Sequence, residues 1–375
     1  MRDGAASTPA SLLRAGAVLT VDLDALCANY RLLCARVAPA AGAAVVKADA
    51  YGLGAEPVAR ALFDAGCRDF FVAHLDEGIR LRAGLAEAAR IFVLHGPMPA
   101  TEDDFLEHGL VPVLNSLHQV RAWSALAAHV GRPLAAALQI DTGMHRMGLS
   151  LDELDTLVGE DAALRGIDLR LVMSHLACAD EPEHPHNTHQ LERFRALSAR
   201  LPVSPASLAN SSGSFLDAGF HYDLARAGAA LYGIAPHADA PNPLHQVVRL
   251  QARVVQVRRI EAGDQVGYGC RYTAPATRFV ATVAMGYADG WLRHLSGRAG
   301  AFFQGTALPQ IGTVSMDSIT LDVSVLPSGR LQPGDLVDLI CPSQTVDDVA
   351  ARAGTIGYEI LTGLGPRLAR RYVGN

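Results

Sequence analysis

Between residues 43 and 234, short apolar runs alternate with longer amphipathic stretches. The runs are AAVVK (43–47), FFVA (70–73), IFVL (91–94), VPVL (111–114), AAALQI (135–140), LRLVMS (169–174), ASLAN (206–210) and ALYGI (230–234). Helical patterns lie among them at 55–65, 76–89, 117–129, 151–158 and 187–200. In the last and at the residue just after it, Leu191, Phe194, Leu197 and Leu201 recur at the spacing of one helix face. Eight strand-like runs, each beside a helical one, predict a (β/α)8 barrel rather than an open doubly wound sheet, since eight units in a row favour closure. Residues 23–38 predict an extra helix ahead of the first strand.

The texture changes after about residue 244. PHADAPNPLHQ reads as a linker, and beyond it VVRLQARVVQVRRI, FVATVAM, ITLDVSVL and DLVDLICP are separated by Gly, Pro and Asp turns. These are β-type runs with little helix between them. The fold class is therefore α/β: an N-terminal (β/α)8 TIM barrel over residues 12–244, followed by a mostly-β C-terminal domain over residues 245–375.

Half of the 375 residues are hydrophobic, enough for a large core, and the net charge of −6 is mild. No long basic run stands out, so no nucleic-acid partner is expected. Six cysteines form no CxxC pair, which reads as reduced, mostly buried thiols of a cytoplasmic protein. The apolar patch near the N-terminus is broken by Arg14 and followed by Asp22, a poor secretory leader. No run approaches the roughly 18 apolar residues of a membrane span. The histidine-rich HPHNTH (184–189) falls in an expected solvated loop after the sixth strand; with no fixed partner set it predicts no metal site.

In such a barrel, functional groups sit where strands end at the carboxyl face. Lys47 closes the first run, Asp141 and Arg146 follow the fifth, and His175 closes the sixth. Asn210 and Ser211 close the seventh, Arg226 precedes the eighth, and Tyr232 and Gly233 lie within or near it. A strand-end lysine can form a Schiff base with an aldehyde such as pyridoxal 5′-phosphate. ANSSG (209–213) offers hydroxyls and backbone amides for the phosphate. Singly, these features are weak: most strand-end lysines are ordinary surface residues, and Ser-Ser-Gly is usually a plain loop.

Together the motifs resemble the pyridoxal-phosphate-dependent alanine racemase family. The resemblance spans nearly the whole chain and rests on VVKADAYGLG (45–54), IDTGMHRMG (140–148), SHLACAD (174–180), LANSSG (208–213), RAGAALYG (226–233), VGYGCRYTA (266–274), MGYADGWLR (285–293), VSMD (314–317) and GYEILTGLGPR (357–367). It implies a cytoplasmic head-to-tail homodimer with alanine as substrate, each active site combining one chain's barrel with the other's β domain. Lys47 would bind the cofactor covalently. Tyr51, Ser211, Tyr358 and the backbone of Gly228 and Ala229 would hold its phosphate, with Asn210 alongside. Arg226 would face the pyridine nitrogen and, staying protonated, leave that nitrogen unprotonated and the ring a weaker electron sink. Lys47 would handle the proton of D-alanine, and Tyr268 of the partner subunit that of L-alanine. His175 would contact that tyrosine, with Arg226 beyond it, and positive charge there would favour phenolate. Arg146 and the partner subunit's Met316, Asp317 and Tyr287 would line a narrow substrate pocket.

Two positions depart from the family's pattern. Gln139 stands where many members have a carbamylated lysine whose negative charge orients the residue matching Arg146; a small anion or another acceptor would take its place. Thr313 stands where many have arginine, implying a wider or less positive entrance. Rival readings are a serine or broader racemase on the same scaffold, a non-catalytic cofactor-binding barrel, and a related decarboxylase. Tyr268 and the roughly 130-residue β region argue against the non-catalytic barrel; RAGAALYG and VSMD argue against the decarboxylase. The sequence does not say whether D-alanine is made for peptidoglycan or degraded.

Overall fold

The computed structural model describes residues 9–160, 163–238 and 240–374. The chain falls into two compact units. One is Leu26–His245; the other joins Gln246–Asn375 to the start of the chain through Ala25.

The first strand, β1 (Ala17–Asp22), buries every residue but the last. It pairs antiparallel with the long strand Val248–Ile260 and parallel with Ala369–Val373, in the interior of the β unit's eight-stranded sheet. The sequence reading places AVLTVD at the head of the barrel domain. Its apolar run lacks the alternation of a one-faced strand because successive residues, which point to opposite faces of the sheet, are both buried.

The barrel strands are β2 (Ala41–Val45), β3 (Asp69–Val72), β4 (Arg90–Val93), β5 (Val111–Leu114), β6 (Leu134–Gln139), β7 (Ile167–Met173), β8 (Ala206–Ser207) and β9 (Leu224–Ala227). All neighbouring ladders are parallel, in the order β8-β7-β6-β5-β4-β3-β2-β9. The ring closes between β8 and β9, where Asp223 N donates to Ala206 O (3.0 Å) and Arg226 N to Ala209 O (2.9 Å). Strands such as DFFV and VPVL are buried at every position, as expected of parallel strands covered by helices. The predicted extra helix is present at Leu23–Val37.

Two expectations are corrected. The eighth strand is LARA (224–227), not ALYGI (230–234), so Arg226 lies within it rather than before it. The apolar ALY belongs to a fully buried 3-10 turn, Ala229–Tyr232, whose Leu231 carbonyl accepts from Asn29 Nδ2 (3.2 Å). Its hydrophobicity reports packing, not extension. HPHNTH is likewise not a free loop. Pro185 opens a helix through Ser198, His184 caps it by accepting from His186 N (3.2 Å), and His186 Nε2 lies 3.1 Å from Gly143 O. Proline tolerates the first helical position, where its missing N–H costs nothing. No group of three metal-ligating side chains comes together among the described residues. None of the described helices is long and apolar enough to cross a membrane.

In the β unit the sheet runs through β1, β10 (Val248–Ile260), β13 (Arg278–Val283), β14 (Gly300–Phe303), β15 (Thr306–Ile311), β16 (Ile319–Asp322), β17 (Leu336–Ile340) and β18 (Ala369–Val373), with β11 (Gln265–Val266) and β12 (Tyr272–Thr273) as a separate ribbon.

Candidate active site

The barrel's carboxyl rim is built around a backbone anomaly. Directly after β2, Ala48, Asp49, Ala50 and Tyr51 all have φ between 52° and 56°. This is a full left-handed turn without a glycine until Gly52. The conformation costs about 1–2 kcal/mol per residue, roughly 4–8 kcal/mol over four. Hydrogen bonds hold it: Ala50 N donates to Val46 O (2.9 Å), Gly52 N to Ala48 O (2.8 Å), and Ala55 N to Asp49 Oδ1 (2.7 Å). Ala48 N donates to Glu77 Oε1 (2.7 Å), while Glu77 Oε2 accepts from Ala73 N (2.7 Å) and His74 N (3.1 Å).

Lys47 enters this turn half-buried. Burial, reinforced by the Arg146 and Arg226 cations and opposed by Glu77, holds its amine below the ordinary 10.5. A larger share of neutral, nucleophilic amine results at any given pH. Lys47 is also the chain's only lysine; the other 31 of the 32 basic Lys and Arg side chains are arginine. Where arginine serves every other cationic position, the one retained ε-amine marks a need for an amine that can lose its proton, which guanidinium cannot do.

At the far end of the turn, Tyr51 is buried against Tyr232 (ring centroids 4.7 Å apart), and Tyr232 Oη donates to Val45 O (3.0 Å). Ser211 is buried, and its Oγ accepts from Gly228 N (2.8 Å) and Ala230 N (3.2 Å), tying the seventh strand's loop to the turn containing Ala229. Gly228 is needed for close approach: a Cβ there would strike Tyr51 Oη and come within 3.2 Å of Tyr51 Cζ. Asn210 acts on its own loop, accepting from Gly213 N (2.8 Å) and donating to Leu176 O (3.4 Å).

Arg226 is 3% exposed. Its Nη1 donates to Ser207 Oγ, and its Nη2 to Ser174 O (2.6 Å) and toward His175 Nδ1 (3.3 Å). Burial brings the guanidinium down to about 10, so it remains a cation at neutral pH. Enclosure and the cations of Arg226, Arg146 and Lys47 push His175 well below its ordinary value. Guanidinium has no acceptor, so Nδ1 accepts and the neutral ring carries its proton on Nε2. The positive charge beside this ring is therefore Arg226; the imidazole supplies an N–H.

Arg146 is exposed on the loop after β6. That loop is folded by Asp141, whose Oδ1 accepts from the backbone of Gly143 (2.9 Å), Met144 (3.1 Å) and His145 (3.1 Å). Gln139 is buried and turns its amide to Met147 O (3.3 Å), in the loop that carries Arg146.

The remaining predicted residues lie in the β unit. Tyr268 is 72% exposed on a 3-10 turn, and its carbonyl accepts from buried Thr313 Oγ1 (3.0 Å). Thr313 thus supports the loop that presents Tyr268. Tyr287 and Met316 are exposed and neighbouring, with Tyr287 N donating to Ser315 O (3.1 Å) and Ala288 N to Met316 O (3.0 Å). Asp317 accepts from Arg367 Nη1 (2.7 Å), whose Nε donates to buried Asp289 (2.7 Å). Tyr358 is partly exposed near the start of the helix Gly357–Thr362.

Sequence reasoning overlooked Glu77, Ser174 and Ser207, and the His74–His95 pair, whose rings meet edge to face at 4.5 Å beside Lys47. The available signal for Glu77 was its position three residues after the loop residue His74, where it caps the following helix.

Comparison with known proteins finds relatives that match nearly the whole chain. The family described as "Alanine racemase, N-terminal domain" matches residues 21–236, and "Alanine racemase, C-terminal domain" matches residues 247–372. A catabolic alanine racemase of Mesorhizobium japonicum is 54% identical over 366 residues, covering 98% of this chain and 96% of its own. The alanine racemase of Brucella canis is 52% identical over 374 residues, covering 96% and 94%. Among solved structures, alanine racemase from Bartonella henselae with covalently bound pyridoxal phosphate superposes with a TM-score of 0.92 at 42% identity, covering 96% of this chain and 100% of its own. The biosynthetic enzyme of Pseudomonas aeruginosa gives 0.88 at 36% identity, covering 96% and 100%. With both of its parts matched and relatives of more than half identical sequence, the chain belongs to the alanine racemase family.

Proposed function

We infer that this chain interconverts L- and D-alanine with pyridoxal 5′-phosphate, using two bases donated by two subunits. The observation that carries the reading is Lys47: the sole lysine, its amine depressed, at a barrel rim that also holds the buried cation of Arg226 and the buried hydroxyl of Ser211.

The residues fit the cofactor. Lys47 would hold its aldehyde carbon. Tyr51, Ser211 and the Gly228–Ala229 backbone would receive the phosphate, the Gly228 N–H being shared with Ser211 Oγ, at the approach that a Cβ on Gly228 would close. Arg226 would face the ring nitrogen. When bound, the cofactor supplies a conjugated electron sink that acidifies the α-hydrogen of an attached amino acid. Lys47, freed when substrate takes its place, accepts or returns a proton on one face as a neutral amine. Tyr268 of the partner subunit does so on the other face. A phenol near its ordinary value of about 10 is a poor base at neutral pH. The Nε2–H of His175, with the Arg226 cation behind it, would stabilise that phenolate. Arg146 meets the substrate carboxylate beside the partner subunit's Met316, with Tyr287 and Asp317 narrowing the approach and Tyr358 completing the phosphate site. The exposure of Tyr268, Tyr287 and Met316 in the single chain supports a homodimer that covers them. Family members named both catabolic and biosynthetic resemble this chain, so the metabolic direction of use stays with the cell that makes it.

The direct test is to supply purified protein with pyridoxal phosphate and L-alanine and measure D-alanine, with L-serine in parallel. D-alanine formation well above D-serine is expected; no D-alanine from either substrate would refute the assignment. Gly228→Ala should weaken cofactor binding about 10- to 100-fold, because Tyr51 has to leave its place. Titrating apoprotein with pyridoxal phosphate checks this, and wild-type affinity would remove Gly228 from the cradle.

A further inference from the structure

We propose that Glu77 is the positioning residue of this site: its carboxylate clamps the left-handed turn that places Lys47 and Tyr51 on one face. The inference rests on the functional reading above and deepens it. The fold gives Glu77 one role, capping the helix that follows, and the comparisons name none.

Lys47 and Tyr51 are four residues apart. A helical turn of either hand brings such positions to one side, so this turn sets the spacing between the amine and the phenol of the phosphate cradle. Alanines and an aspartate would leave the left-handed region if released, because no glycine favours it before Gly52. The turn's first amide, on Ala48, has its partner in Glu77 Oε1 (2.7 Å). The other oxygen is fixed by Ala73 N and His74 N at the end of β3. One carboxylate thus bridges the strained turn to the neighbouring strand, with three N–H donors on its two oxygens.

Packing holds the far end of the turn, where Ala50 and Tyr51 are buried, but leaves its first residues, Ala48 and Asp49, exposed. Cavities of about 430 and 450 Å³ adjoin this carboxylate; the first is lined by Val46, Asp49 and Glu77, the second by His74, Glu77 and His95. Glu77 is also the carboxylate facing Lys47 among the arginines. Because Lys47 must serve both as anchor and as base, its backbone has to stay put while its side chain changes partner. A glutamine at 77 keeps the shape but turns an NH₂ toward one of the donors; an alanine removes the bridge.

The test compares full-length wild type, Glu77→Gln, Glu77→Ala, and Glu77→Ala combined with Ala48→Gly. Apoprotein affinity for pyridoxal phosphate, kcat and KM for L-alanine, and Tm of the apoprotein are measured on each. Expected for Glu77→Ala is a loss of about 10- to 100-fold in cofactor affinity and in kcat, with KM changed much less. Ala48→Gly should restore about threefold or more of both, since glycine enters the left-handed region without penalty. A lowered Tm with wild-type affinity and kcat would overturn the proposal, as would the absence of any rescue by Ala48→Gly. If Glu77→Ala does not fold, Glu77→Gln decides: a loss of affinity and kcat at unchanged Tm supports the clamp, and wild-type values refute it. Wild-type protein that binds the cofactor at Lys47 without racemising alanine would sink the functional reading alone, because the affinity comparison among variants would still decide the role of Glu77.

Discussion

Replacing Lys47 by alanine should lower alanine racemisation by about 10⁴-fold or more, since it removes both the covalent anchor and one of two bases. Arginine should do no better. It preserves charge and length, but its guanidinium holds its proton and cannot attack an aldehyde. The chain supplies no substitute, because there is no second lysine to take over. Borohydride reduction of the loaded wild-type enzyme, followed by digestion and mass spectrometry, should leave the cofactor on the peptide containing Lys47 and on no other. Residual activity above about 1% in Lys47→Ala would contradict the assignment, given the 10²- to 10⁴-fold typical of a single acid–base group.

Tyr268→Phe should also cost about 10²- to 10⁴-fold in racemisation, but with a different signature. If Lys47 serves the face of D-alanine, the variant still exchanges the α-hydrogen of D-alanine with solvent while making little L-alanine. Proton NMR in D₂O separates the two events: loss of the Cα–H signal from D-alanine at near wild-type rate, with that of L-alanine nearly silent. Equal slowing of both exchanges would exclude a division of labour between the faces. Because Tyr268 stands 72% exposed on the turn of its own chain, removing its hydroxyl leaves that chain's core untouched.

Much of this molecule was legible from periodicity. Runs such as FFVA and VPVL fall on barrel strands because parallel strands are buried on both faces and read as unbroken apolar stretches. The same rule misled at the eighth strand: LARA is short and carries an arginine, while ALYGI next to it is more apolar yet forms a 3-10 turn. Apolarity records burial, and here the buried segment is not the extended one. AVLTVD escaped notice because its partners, Val248–Ile260 and Ala369–Val373, lie more than two hundred residues away.

At the site, Lys47, Ser211 and Arg226 could be placed because strand ends converge in a barrel. The left-handed turn could not, because KADAY is composed of ordinary helix formers and nothing in it encodes the sign of φ. Its support from outside the segment, the hydrogen bond from Ala48 N to Glu77, comes from a residue 29 positions further along the chain. His175 was expected beside positive charge and is, but as a neutral ring with Arg226 supplying the charge.

A chain with one ε-amine behaves unusually toward the reagents of protein immobilisation. Aldehyde-activated supports and succinimidyl dyes usually find many surface lysines and spare the catalytic centre by weight of numbers. Here no other ε-amine competes, so side-chain coupling to protein that lacks the cofactor consumes the enzyme's working nitrogen. Tethering through the exposed thiol of Cys270 is no remedy, because it sits two residues from Tyr268; an added terminal tag leaves both untouched.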